Sequence, residues 1–160
     1  MEVHIITIDE YKGQYKGNND LARDIKYFKY AENTKGWQEM ARLLMFDLVN
    51  KHKELFKKID YIYCVNNNTK QTNDRLIYAA KYLNKGEIIK RLDLRIKDKT
   101  ILILDDVIYT GATARREIMK AAQNYPSRII FAAFGISSNY NEQATNDLIQ
   151  LLKEFNIFKK

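Results

Sequence analysis

Residues 101–114 read Ile-Leu-Ile-Leu-Asp-Asp-Val-Ile-Tyr-Thr-Gly-Ala-Thr-Ala. With Thr100, the apolar part forms a short unbroken run, Thr100–Leu104, as expected of a strand covered on both faces. Asp105 and Asp106 follow where that strand is expected to end. Two adjacent carboxylates at such a place repel each other and are desolvated unless water, hydroxyls or a cation meets them. Vicinal sugar hydroxyls are suitable donors, and a hydroxyl-bound Mg²⁺ would relieve the repulsion. Thr110, Gly111, Ala112 and Thr113 then open a helix, whose free N–H groups and positive end suit a phosphate. Gly111 lets the backbone approach closely, and Thr110 and Thr113 add hydroxyls. One segment thus offers a diol site beside a phosphate site, the outline of a ribose 5-phosphate pocket. The plainer alternative is that Asp106 ends a strand and Thr110 or Thr113 caps a helix.

Working outward, the chain alternates short apolar runs with amphipathic stretches. Strands are expected over 2–8, 60–65, 87–92, 100–104 and 128–134. Helices are expected over 21–28, 35–57, 71–83, 112–124 and 141–155. Trp37, Met40, Ala41, Leu44 and Leu48 fall at helical spacing and share one face. This alternation predicts an open α/β fold with a mainly parallel sheet flanked by helices. Ligands of such sheets bind beyond the carboxyl ends of the strands, which directs attention to the loops after Val65, Leu104 and Phe134.

The 160 residues suit a single domain, and 46% hydrophobic with 29% charged residues argues against wholesale disorder. No apolar run reaches the roughly 18 residues that cross a bilayer, so no membrane partner is expected. The start MEVHIITIDE lacks the pattern of a secretory signal, and a lone cysteine, Cys64, excludes an internal disulfide framework or a Cys-cluster zinc site. A cytoplasmic location is the expectation. His4 and His52 have no second ligand at metal spacing. The net charge of +7 is compatible with phosphate, nucleic acid or acidic partners and does not choose among them.

The 101–114 string closely resembles the 5-phosphoribosyl 1-diphosphate (PRPP) motif of type I phosphoribosyltransferases: four apolar residues, Asp-Asp, then a Thr-Gly-x-Thr turn. The resemblance implies a Rossmann-like core that binds PRPP with Mg²⁺. It assigns Asp105 and Asp106, as the catalytic pair, to the ribose hydroxyls and to stabilising a cationic ribosyl centre, with a share in holding the metal, and the stretch Val107, Tyr109, Thr110, Gly111, Ala112 and Thr113 to the 5′-phosphate. Tyr109 departs from the family, which has a small hydroxyl residue there. A second run is similar to ComF-like phosphoribosyltransferases, a family tied to competence. It comprises Tyr11-Lys12-Gly13, Lys26-Tyr27 within residues 24–30, and a helix with Ala41-Arg42-Leu43-Leu44. By that likeness residues 1–34 form a small N-terminal hood or edge segment. Tyr27, Phe28 and Tyr30, interleaved with Lys26 and Lys29, read as part of the hood or as a base-stacking surface.

The likeness also places diphosphate at the loop Asn66, Asn67, Asn68, Thr69 and Lys70. The proline and the Arg-Gly-Phe-Asn-Gln segment usual in ComF-like proteins are absent there, with Gln71, Asn73 and Arg75 a loose echo. Residues 85–99 stand where the family has a closing loop, and read more simply as a solvated edge hairpin. The implied activity transfers ribose 5-phosphate from PRPP to a nitrogen acceptor, a base or an amine, releasing diphosphate. A homodimer is the family expectation. The rival reading is a non-catalytic protein of the same fold that binds PRPP or a nucleotide, or serves DNA uptake by binding nucleic acid. A third is a scaffold with a vestigial site.

Overall fold

The computed structural model describes residues 1–12, 16–17, 19–67 and 69–137, with Asn146, Gln150 and Lys153, which are helical. Gly13, Asn68 and most of the helix expected over 141–155 lie outside the described residues.

Strands β1 (Glu2–Lys12), β2 (Lys16–Gly17), β3 (Tyr61–Cys64), β4 (Glu87–Ile88), β5 (Thr100–Ile108) and β6 (Arg128–Ser137) form one sheet in the order β2-β1-β6-β5-β3-β4. The pairings β1–β6, β6–β5, β5–β3 and β3–β4 are all parallel, and only the two-residue β2 runs antiparallel. Five parallel strands with helices between them are the open α/β sheet that the alternation predicts. Residues 1–34 contribute β1 to that sheet, beside β6, and a helix to one of its faces.

Helices α1 (Asn19–Tyr30), α2 (Thr34–Lys51) and α3 (Lys70–Leu83) share a core with one face of the sheet, and α4 (Ala112–Ala122) packs on the other. The strand sequences divide between the two cores with period two. Leu102 and Leu104 of β5, with Ile130, Ala132 and Phe134 of β6, meet Leu21, Ile25, Phe28, Leu44 and Leu76. Ile101, Ile103, Ile129, Phe131 and Ala133 meet Ala114, Ile118 and Ala121. Both faces are covered, which is why β5 and β6 read as unbroken apolar runs.

Several elements differ from their expected extent: β1 runs on to Lys12 and β6 to Ser137, the strand expected over 87–92 is only Glu87–Ile88, and the helix expected over 35–57 ends at Lys51, with a separate 3₁₀ turn at Leu55–Lys57. β5 continues past Leu104 to Ile108, all nine residues buried, because β6 runs beside it to Ser137 and keeps supplying ladder partners. The acid pair therefore lies inside the end of the strand and not after it. Residues 85–99 form no hairpin. β4 returns after α3 to lie parallel to β3, as a strand–helix–strand crossover requires, and Ile89 and Ile96 are buried against the α4-side core. Lys85 donates to the Phe56 carbonyl at 2.7 Å, and Arg95 pairs with Asp93 of its own segment.

Candidate functional site

The parallel order brings the ends of β3 and β5 side by side, so the loop at 65–69 and the turn at 109–113 share one edge of the molecule. The register of β5 on β6 pairs Asp105 with Ala133 and Val107 with Gly135, and skips Asp106 opposite Phe134. There the carboxylates satisfy the chain instead. Asp105 Oδ1 accepts the Asp106 N–H at 2.8 Å, and Asp106 Oδ1 accepts the Val107 N–H at 2.7 Å. The alternation shifts phase at this point: Val107 returns to the core of α1–α3 while Ile108 joins that of α4.

Period two sends the two acids to opposite faces. Asp106 faces α1, where its Oδ2 lies 3.0 Å from the Lys29 Nζ. Asp105 lies on the α4 side, lining a cavity of about 50 Å³ with Thr110, Gly111, Thr113, Ala114 and Phe131. That volume exceeds the roughly 10–15 Å³ needed by one water. Both acids are buried, at 3% and 5% exposure. Burial, and then the charge of Asp106, pushes the Asp105 carboxyl up to about 8, and a hydrogen bond with the Asn67 side chain opposes the rise. Burial also pulls the Lys29 ammonium down, but the charge and hydrogen bond of Asp106 outweigh it, and Lys29 holds its proton above the usual lysine range.

Gly111 precedes α4 with φ +83°, a left-handed conformation that glycine adopts without strain. Its carbonyl accepts the Arg115 N–H at 2.9 Å, which starts the helix. Thr110 Oγ1 accepts the Ala112 N–H at 3.2 Å, so one threonine serves as a local cap as well as lining the cavity. Val107, Ile108 and the half-exposed Tyr109 complete the lining, and the Lys29 Nζ stands 6.0 Å from the Tyr109 ring centroid.

Asn73 of α3 holds Asn66 and Asn67 in place. Asn73 Oδ1 accepts the Asn67 N–H at 2.6 Å, and Asn73 Nδ2 donates to Asn66 Oδ1 at 2.7 Å and to the Asn67 carbonyl at 3.1 Å. Thr69 caps α3 by accepting the Thr72 N–H at 3.3 Å, and Lys70 is the first residue of that helix. The Val65 N–H continues the ladder to the Leu104 carbonyl at 2.9 Å. Gln71, Asn73 and Arg75 are structural ties. Gln71 Nε2 donates to the Lys29 carbonyl at 2.9 Å, and Arg75 donates to the Phe28 and Ala31 carbonyls at 2.9 and 2.7 Å.

Lys29 was legible in the sequence only as a cation among aromatics. The stronger signal was its phase. It follows Leu21 and Ile25 at four-residue steps, on the stripe that buries Phe28, and a lysine on a buried stripe calls for a partner. Cys64 is half-buried beside the acids. Burial first, then the charge of Asp105, pushes its thiol up to about 12. Trp37 packs edge-on to Tyr78 and under Arg75, as expected of a core residue.

A wider cavity of about 450 Å³ lies on the outer face of α2 and α3, lined by Glu39, Arg42, Leu43, Phe46 and Tyr82, none of which belongs to the acid pair or its turn. Among the described residues, no group of three or more His, Cys, Asp or Glu could hold a metal ion, and no helix is long and apolar enough to cross a membrane.

No family model matches the chain, and no curated protein matches it. Solved structures do. Hypoxanthine-guanine phosphoribosyltransferase from Schistosoma mansoni, in complex with IMP, is similar at 13% identity and a TM-score of 0.46, over 88% of this chain and 85% of that one. Purine phosphoribosyltransferase from Pyrococcus horikoshii Ot3 is similar at 20% identity and a TM-score of 0.42, over 66% and 91%. A hypoxanthine-guanine phosphoribosyltransferase from Bacillus anthracis is similar at 12% identity and a TM-score of 0.46, over 62% and 76%.

Proposed function

We propose that this chain is a phosphoribosyltransferase that binds PRPP where β3 and β5 end and transfers its ribose 5-phosphate to a nitrogen acceptor. The observation that carries the reading is that the Asp105 carboxyl and the turn residues Thr110, Gly111 and Thr113 line one small cavity. A diol acceptor and a phosphate cradle thereby adjoin, as the 5-phosphoribosyl group needs. The 107–113 turn would wrap the 5′-phosphate with the N-terminal end of α4 behind it. Asp105 and Asp106 would accept the ribose hydroxyls. In the transfer, the C1–O bond to diphosphate breaks, a C1–N bond forms and the acceptor nitrogen loses a proton. The chain's share is positioning and charge stabilisation. Mg²⁺ would supply neutralisation of the diphosphate, entering with PRPP. The run with Lys26-Tyr27 and Ala41-Arg42-Leu43-Leu44 supports placing the chain nearest the ComF-like branch.

One observation favours the second reading, a PRPP- or nucleotide-binding protein without catalysis. The Asn67 N–H, in the loop assigned to diphosphate, is already taken by Asn73 at 2.6 Å. Calorimetry of PRPP with Mg²⁺, on the native chain and on Asp105→Asn/Asp106→Asn, tests the site. Binding that the double variant loses supports it, and no binding by the native chain overturns both readings. Diphosphate release with a base or amine then separates the enzyme from the binder.

A further inference from the structure

The inference concerns Lys29 and rests on the reading of Asp105–Asp106 as a sugar-hydroxyl pair. Two adjacent buried carboxylates call for a counter-charge. A divalent cation is one source. The structure contains another: the Lys29 Nζ lies 3.0 Å from Asp106 Oδ2, with the two side chains 13% and 6% exposed. This lysine is not a surface side chain that happens to fall nearby. Its own carbonyl accepts from Gln71 at 2.9 Å, and the carbonyls of Phe28 and Ala31 on either side accept from the buried Arg75 at 2.9 and 2.7 Å. The end of α1 is thus anchored to α3, the helix that leaves the neighbouring loop. Tyr30 stands at the ammonium as well, its ring centroid 5.3 Å from the Nζ.

We propose that Lys29 is the resident counter-ion of Asp106, standing where a divalent ion would otherwise neutralise that carboxylate, so that Asp106 meets a ligand's hydroxyl without a metal ion of its own. Two consequences follow. A metal that accompanies a diphosphate would be held by the ligand and not by Asp106. A ligand with the sugar and 5′-phosphate but no diphosphate would bind equally well with and without metal. The ammonium also sets the charge that a ligand meets, because with Lys29 in place the pair carries one negative charge fewer.

Mn²⁺, followed by the electron paramagnetic signal of the free ion, tests this without any sugar ligand. The native chain is expected to take up no Mn²⁺ at Asp106. Lys29→Met should gain one Mn²⁺ site, at least tenfold tighter than any in the native chain, and Lys29→Met/Asp106→Asn should lose it. Lys29→Gln serves in place of Lys29→Met if the latter melts well below the native chain. Native uptake of one Mn²⁺ that Asp106→Asn abolishes overturns the proposal, as does a folded Lys29→Met or Lys29→Gln with no gain. Ribose 5-phosphate titrated into the native chain gives a second readout. Affinities within twofold in EDTA and in Mg²⁺ support the proposal, and a tenfold dependence on Mg²⁺ overturns it. Failure of ribose 5-phosphate to bind at all counts against the sugar-phosphate reading, and the Mn²⁺ result then decides the lysine separately.

Discussion

The guanidinium of Arg75 donates to the carbonyl of Phe28 at 2.9 Å and, through its other nitrogen, to that of Ala31 at 2.7 Å. It closes the end of α1 while its Cζ lies 4.7 Å from the Trp37 ring centroid. The last carbonyls of a helix have no partner within it, and here one buried side chain supplies two donors. Arg75→Met keeps much of the apolar stem and removes both donors. It should cost about 2–3 kcal/mol, measured by urea denaturation. Arg75→Lys should recover less than half of that, since one ammonium does not reproduce the fork.

Asp105 carries a pH signature with a defined sign. Its carboxyl is raised to about 8 in the folded chain, so between the ordinary carboxylate value and that point the folded state holds a proton that the unfolded state has released. The stability it confers is complete below the unfolded value, declines as pH rises toward 8, and is gone above it. The slope is at most about 1.4 kcal/mol per pH unit. Urea midpoints at several pH values should fall across this window for the native chain. In Asp105→Asn the fall should be flatter, leaving the variant nearer to the native chain, or above it, at pH 9 than at pH 5.

Gly111 holds φ +83° at the start of α4. Gly111→Ala forces a side chain into the left-handed region and should cost about 1–2 kcal/mol in thermal or chemical melts. Because the same residue lines the small cavity, PRPP titration should also weaken by tenfold or more. A variant that loses stability and keeps full PRPP affinity would separate the turn from the ligand site.

Cys64 should be a poor nucleophile despite its partial exposure. Burial and the nearby Asp105 hold its thiol up at about 12, leaving little thiolate at neutral pH. Iodoacetamide at pH 8 should label the folded chain at least about a hundredfold more slowly than the urea-unfolded chain. Comparable rates would place the thiol in a more open setting than β3 gives it.

Much of this arrangement was legible locally. Thr100–Leu104 announces a strand covered on both sides because each face must be apolar, and Gly111 announces the turn because few residues accept its backbone. The acid pair could be placed at the end of that strand. What was not legible depends on neighbours distant in sequence. The extra length of β5 comes from β6 running beside it. The parallel sense of β4 comes from the crossover through α3, whereas cations scattered over 85–99 fit a hairpin equally well. Arg75 and Gln71 look like binding residues in isolation, and the carbonyls they serve belong to a helix far earlier in the chain. Lys29 needed the pitch of α1 to reveal that it points inward.

The phase of β5 makes the acid pair a device addressed by counting. Leu102, Leu104 and Asp106 look toward one chamber, and Ile101, Ile103 and Asp105 toward the other. Substituting one apolar residue for another in this strand leaves both addresses intact. Inserting or deleting a single residue between Thr100 and Asp105 exchanges them: the lysine would meet the wrong carboxylate, and the cavity beside Thr113 would lose its acid. The strand should therefore accept changes of side chain far more readily than changes of length.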